Sequence, residues 1–195
     1  ADPELFRYYN DIVKEPLNAL DIAKEGGGTL LDKVSRSAFF REITEAGNVF
    51  EAKILGELLD KTSPTYKKLE ELVPDLSERK VLSQVQFCIP GKSTPCNEAG
   101  EYFIADFVFV KYDSRNRIND IIVADSKLSQ NTNLTGGQEL AQKGIGNNLV
   151  IRSTIISQDA NKVDLVTPLQ SGASVKNSAF YKVYGDGKGN FSGIE

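Results

Sequence analysis

Ile104-Ala105-Asp106-Phe107-Val108-Phe109-Val110 and Ile121-Ile122-Val123-Ala124-Asp125-Ser126-Lys127 are two apolar stretches of a 195-residue chain, each with one aspartate set among hydrophobic residues. Between them lies Asp113-Ser114-Arg115-Asn116, a run of residues that favour a turn. Two β-rich runs around a turn predict an antiparallel hairpin of Tyr102–Tyr112 and Ile118–Lys127. Centred between residues 115 and 116, that hairpin sets Asp106 opposite Asp125. Side chains alternate faces along a strand, so Asp125 and Lys127 share one.

Working outward, Val81–Phe87, Leu149–Ser157 and Ala179–Tyr184 read as further strands, and Gly136–Gly144 as a short helix. Ahead of residue 80 the spacing is helical. Phe6, Tyr9, Ile12 and Val13 recur at helical intervals, as do Leu17, Leu20 and Ile22 after Pro16. Gly26-Gly27-Gly28 breaks the pattern, Thr29 caps a helix over Leu30–Ala46, and Gly47 interrupts before a second helix through Leu59. Ser63-Pro64 opens a short helix that stops by Pro74. Helices followed by a β-meander and an α-β unit predict an α+β (α/β-like) fold around one mixed central sheet. The domain reading is an N-terminal helical segment, 1–46, before a domain of residues 47–195, with one continuous domain as the alternative.

Forty per cent hydrophobic and 26% charged residues describe an ordinary globular composition, and no apolar run is long enough to span a bilayer as a helix. Lys and Arg number 23 against 27 Asp and Glu, a formal charge of −4. The acidic excess falls in the helical first 80 residues, which argues against sequence-independent nucleic-acid binding by bulk charge but leaves room for a local basic groove. The chain contains no histidine. That removes Ser-His-Asp and Cys-His hydrolases, helical two-histidine zinc peptidases and histidine-based ribonucleases. Acid–base or metal chemistry then falls to carboxylates, Lys, Tyr or the two cysteines.

Gly91-Lys92-Ser93-Thr94 ends like a P-loop, but the glycine that motif needs is Gln86, and Pro95 stands where a helix should follow. Gly185-Asp186-Gly187-Lys188-Gly189-Asn190 lacks the acidic spacing of a calcium loop and reads as a hairpin turn or tail. Cys88 and Cys96 have no third thiol or imidazole nearby for zinc. They either form a disulfide closing the loop at a strand end, the favoured reading, or remain unpaired small hydrophobes.

Two aspartates and a lysine on one face of hydrophobic strands admit two readings. In the first, Lys127 neutralises an aspartate in a buried salt bridge. In the second, two carboxylates that would repel each other share a divalent cation, for which carboxylate oxygens suit Mg²⁺ or Mn²⁺. A strand bearing Asp106, a turn, and a strand ending Asp125-Ser126-Lys127 that leads into a helix resembles the PD-(D/E)xK nuclease superfamily, with Ala105 in the place of the proline. The stretch from Asp125 to Gln138 is similar to the nuclease tips of bacterial polymorphic toxins, of the contact-dependent inhibition and Rhs types.

The resemblance implies a restriction-endonuclease-like sheet and a metal-dependent nuclease. Asp106 and Asp125 would bind Mg²⁺ (or Mn²⁺), with Glu51 as a third acidic ligand from a preceding helix and Glu57 as its competitor. Lys127 would act on the water or the transition state, and Gln138 would hold a phosphate or Lys127. Lys111, Arg115, Arg117, Lys143 and Arg152 are the candidate phosphate contacts. The expected substrate is DNA, or a structured RNA such as tRNA. A toxin tip implies a cognate immunity protein, secretion within a larger protein, and action in a target-cell cytoplasm. The chain has no methionine and opens Ala1-Asp2-Pro3, which fits a piece of something longer. The rival expectation is a non-catalytic α+β interaction module, an immunity or adaptor protein that binds a basic partner through its acidic helices.

Overall fold

Turn chemistry and alternation produce the hairpin at its expected place. The computed structural model describes residues 30–93, 95–154 and 169–195. Its helices are α1 (Leu30–Leu59), α2 (Pro64–Leu72) and α3 (Gly136–Lys143); its strands are β1 (Lys80–Cys88), β2 (Tyr102–Tyr112), β3 (Ile118–Lys127), β4 (Asn148–Thr154), β5 (Ser174–Gly185) and β6 (Phe191–Ile194). The class is α+β. No helix among the described residues is long and apolar enough to cross a membrane. The expected helices before residue 29 and the end of the strand at 155–157 lie outside the described residues.

Three expectations are corrected. The helix does not break at Gly47: α1 runs unbroken from Leu30 to Leu59. A lone glycine costs a helix interior only about 1 kcal/mol, and Phe50, Ile54, Leu55 and Leu58 bury one side beyond it. The sheet is not mixed. It has six strands in the order β3-β2-β1-β4-β5-β6, and the β1–β2, β1–β4, β2–β3 and β4–β5 pairings are all antiparallel. Because β3 also pairs with β5, the strand order closes on itself. The last strand is longer than Ala179–Tyr184, and β6 follows it. Asp186 forms the connecting turn, its Oδ1 accepting from the amides of Lys188 and Asn190 at 2.7 and 3.2 Å.

Backbone contacts divide the molecule into two units. One holds α1 as far as Ile54, Ser126–Asn133 and Val183–Gly193; the other holds Leu55–Asp125, Leu134–Lys182 and Ile194–Glu195. In the first, Gly185 is required by close approach: a Cβ there would lie 2.7 Å from the Leu128 carbonyl oxygen and 2.9 Å from that of Asn190. In the second, Leu82, Val85, Val108, Val110, Ile121 and Val123 form the heart of the core. Gly137 seats α3 on β2, since a Cβ there would meet the Ile89 side chain at 2.9 Å and the Phe103 Cβ at 3.3 Å.

The second unit is pinned by a buried guanidinium. Arg79, with its side chain 4% exposed, donates from Nε to Asp75 at 3.1 Å and pairs through Nη1 with Asp120 at 2.9 Å. Nη1 also donates to the Phe109 carbonyl oxygen at 3.3 Å. Lys111 adds its ammonium to Asp75 at 2.5 Å, and Ser178 donates to Asp120 at 2.5 Å. One cation thus ties the turn before β1 to β2, β3 and, through Ser178, β5. Burial raises the Asp75 carboxyl pKa, but hydrogen bonds from Lys111 and Arg79 outweigh it and hold it below the usual range. A lowered carboxylate pKa contributes stability that is fully present above the unfolded value, near 3.9, and is lost as pH falls through the folded value.

Arg79→Ala leaves Asp75 and Asp120 without their buried counter-charge and is expected to cost about 3–5 kcal/mol in urea unfolding. A loss under 1 kcal/mol would show that the network does not hold the sheet. The Cys88–Cys96 disulfide is formed, with Cα atoms 5.7 Å apart. Native protein should therefore titrate no thiol, and reduction should lower stability by about 2.5 kcal/mol, the loop-entropy value for a closure this short.

Candidate active site at the β1–β2–β3 kink

The register places the two aspartates as the turn predicts. Phe107 pairs with Ala124, Val108 with Val123, Phe109 with Ile122 and Val110 with Ile121. One step further along that register, Asp106 faces Asp125. Asp113 fixes the turn, its Oδ1 accepting from the amides of Arg115 and Arg117 at 2.8 and 2.9 Å, while Asn116 takes the left-handed conformation at φ 59°.

On its other side β2 pairs with β1, Ser83 opposite Phe107 and Val85 opposite Ala105, which leaves Gln84 across from Asp106. Gln84 has φ 58°, a left-handed conformation inside a strand. For a non-glycine residue this costs roughly 1–2 kcal/mol. The inward face of both strands changes there. Val108 and Val110 join the core on one side of Asp106, Phe103 and Ala105 on the other; Leu82 does so before Gln84, Val85 and Phe87 after it. The simple two-residue alternation read from the sequence does not cross this point.

At the kink, the Asp106 amide donates to the Asp125 carboxylate (Oδ1) at 2.9 Å. Asp125 is fully buried and Asp106 partly so. Strand ladders normally satisfy amides with backbone carbonyls; here a side-chain carboxyl oxygen does so. Lys127 is the last residue of β3, two beyond Asp125 and half-buried.

Gln138 lies on α3, and sequence reasoning placed that helix correctly. Its Oε1 accepts from the Thr135 amide at 2.9 Å while the Thr135 hydroxyl accepts from the Gln138 amide, a capping box. Its Nε2 donates to the Ile104 carbonyl oxygen at 3.4 Å, two residues from Asp106. Gln138 is thus a strut between helix and strand. Glu51 lies on α1 in the first unit and Glu57, the competitor, in the second, where its carboxylate accepts from the Thr65 hydroxyl at 3.0 Å.

The candidate phosphate contacts are scattered. Lys111 belongs to the Arg79 network, 2.5 Å from Asp75 and 3.7 Å from Glu78. Arg117 pairs with Asp113 at 3.0 Å in the turn that also holds the exposed Arg115. Lys143 is exposed at the end of α3. Arg152 lies on β4, its guanidinium 4.0 Å from the Tyr102 ring centroid. Sequence reasoning missed Asp75, Arg79 and Asp120, which look like ordinary turn and strand-edge charges, and Gln84, whose strain has no residue-type signal.

Among the described residues, no group of three or more His, Cys, Asp or Glu side chains is placed to hold a metal. The Asp106–Asp125 pair is short of a protein-built cage. Mg²⁺ commonly takes one or two protein carboxylates and completes its octahedron with water and substrate phosphate, and partly exposed Asp106 is the one of the pair open to such a ligand.

Asp125→Asn keeps an acceptor for the Asp106 amide and should lower stability by about 1 kcal/mol or less; Asp125→Leu strands that amide and should cost about 1–3 kcal/mol more. Equal melting temperatures for the two variants would remove the clasp. Compared with known proteins, the chain matches no family model, no curated protein and no solved structure.

Proposed function

We propose that the β1–β2–β3 kink is the catalytic centre of a metal-dependent nuclease related to the PD-(D/E)xK superfamily, hydrolysing phosphodiester bonds of DNA or a structured RNA. The observation that carries the reading is the alignment of Gln84, Asp106 and Asp125 across three strands. Asp106 and Asp125 stand opposite each other in the register where a strained backbone residue interrupts the ladder. Strain of this kind persists where the surroundings over-determine it, and it concentrates at functional sites. The order of elements also supports the reading: a helix, three strands carrying Asp106 and Asp125-Ser126-Lys127, then a helix carrying Gln138. The antiparallel sheet whose strand order closes on itself departs from the mixed sheet of that superfamily.

In this reading Asp106 and Asp125 would hold Mg²⁺ (or Mn²⁺). The cation, when bound, supplies a hydroxide-like water at neutral pH. The chain's own residues do the rest. Asp106, the more exposed of the two, would be the ligand open to solvent, while Asp125 fixes Asp106 through its amide. The resemblance gives Lys127 the role of offsetting charge on the phosphoryl oxygens as the water oxygen attacks and the ester oxygen leaves as an alcohol, the water's proton passing to it. Gln138 positions β2 through the Ile104 carbonyl and does not touch the phosphate. A toxin-tip role, with a cognate immunity protein, belongs to the same proposal.

The clasp itself favours a second reading. A buried carboxylate that satisfies a strand amide has a structural job, and a non-catalytic interaction module needs nothing more of Asp125. Incubating the protein with plasmid and total tRNA, with Mg²⁺ or EDTA, separates the two. The nuclease reading expects cleavage that EDTA abolishes, that Asp106→Asn and Asp125→Asn lower by at least a hundredfold while the protein stays folded, and that Lys127→Ala lowers through kcat. No cleavage of either nucleic acid in Mg²⁺ or Mn²⁺ would overturn it.

A further inference from the structure

A second polar feature of the Leu55–Asp125/Leu134–Lys182 unit stands apart from the aspartates. In the β1–β4 pairing, Gln86 faces Ser153 but Phe87 faces Ile151, so Arg152 is the extra residue of a β-bulge. Bulges re-aim side chains, often beside functional sites. This one lays the Arg152 guanidinium over the Tyr102 ring, 4.0 Å from its centroid, with Nη1 donating to the Gln86 side-chain oxygen. Its Nε is buried without an acceptor, and no carboxylate among the described residues pairs with it. The same arginine lines a pocket of about 330 Å³ with Pro95, Cys96, Asn97 and Ser171. The Cys88–Cys96 disulfide holds the Pro95–Asn97 wall against the end of β1.

We propose that this pocket binds a phosphate group, with Arg152 as its anchor and the Asn97 and Ser171 side chains as neutral donors. A partly buried cation with no carboxylate partner among the described residues is one that an anion in the pocket would neutralise. Arginine is the residue whose planar fork matches an oxyanion, and stacking on Tyr102 fixes that fork in advance. Asn and Ser add donors, and the described lining contributes no carboxylate to repel the ligand. The volume is at the small end for ligand sites, enough for a phosphate with little attached. The site does not depend on the nuclease reading, because none of its residues belongs to the kink.

Calorimetric titration in buffer free of divalent cations tests it with inorganic phosphate, a nucleoside 5′-monophosphate and the bare nucleoside. Saturable binding of both phosphates and none of the nucleoside is expected. Tighter binding of the monophosphate assigns the site to a nucleotide end, and equal binding assigns it to free phosphate. Arg152→Gln and Arg152→Lys should each weaken binding at least tenfold, the lysine variant because charge alone lacks the fork and the stack. If Arg152→Gln does not fold, the pair Asn97→Asp and Ser171→Asp, which leaves the stack in place, must abolish binding. Failure of both phosphates to bind, nucleoside binding as tight as phosphate, or full affinity in the folded variants would overturn the site.

Discussion

A charge that cannot reach water organises the larger unit. Arg79 carries its guanidinium into the interior, and Asp75 and Asp120 are there to neutralise it. Such a network is weak evidence for net stability, because desolvating three ions costs about what their attraction returns. Its effect is on specificity. The guanidinium accepts one arrangement of the turn before β1 and of β3, and Ser178 extends that arrangement to β5. With β3 held from both sides, the β2–β3 register cannot slip by a residue without stranding a buried charge. The position of Asp125 is a consequence of that register.

The kink is the second consequence. A continuous β1–β2–β3 ladder would need no side-chain help for the Asp106 amide. With Gln84 left-handed opposite it, the ladder opens, and a carboxylate from the third strand closes the gap. The arrangement puts two acidic residues opposite each other in strands whose other residues are mostly apolar. The Arg152 bulge repeats the pattern on the neighbouring strand pair, again with a polar side chain aimed by a backbone irregularity.

What was legible in the sequence was what local chemistry decides. Asp113 and Asn116 fix the turn, and the turn fixes the register, so the Asp106–Asp125 pairing followed from a few adjacent residues. Ser63-Pro64 announced its helix because capping is local as well; the Thr135 capping box does the same for α3 but was not read from the sequence. The antiparallel, self-closing sheet was not legible, since β4 reaches β1 and β5 reaches β3 through contacts between distant segments. Gly47 misled because a glycine's modest helix penalty is overridden by burial of Phe50, Ile54 and Leu58. The Arg79 network was hidden because Arg79 and Asp120 are 41 residues apart and neither stands out in its own stretch. Asp106 and Asp125 were visible as anomalies in apolar strands, but neither the bond from the amide of one to the carboxyl of the other nor the left-handed Gln84 across from it has a residue-type signal.

The central claim is that Asp125 clasps the Asp106 amide at a break in the ladder. Amide hydrogen exchange followed by NMR reads that single bond. The account predicts that the Asp106 amide exchanges as slowly as that of Phe107 at neutral pH, and that it is selectively released in Asp125→Ala while Val108 and Val110 stay protected. An Asp106 amide that exchanges in wild-type protein as fast as the turn residues Ser114 and Arg115 would contradict it.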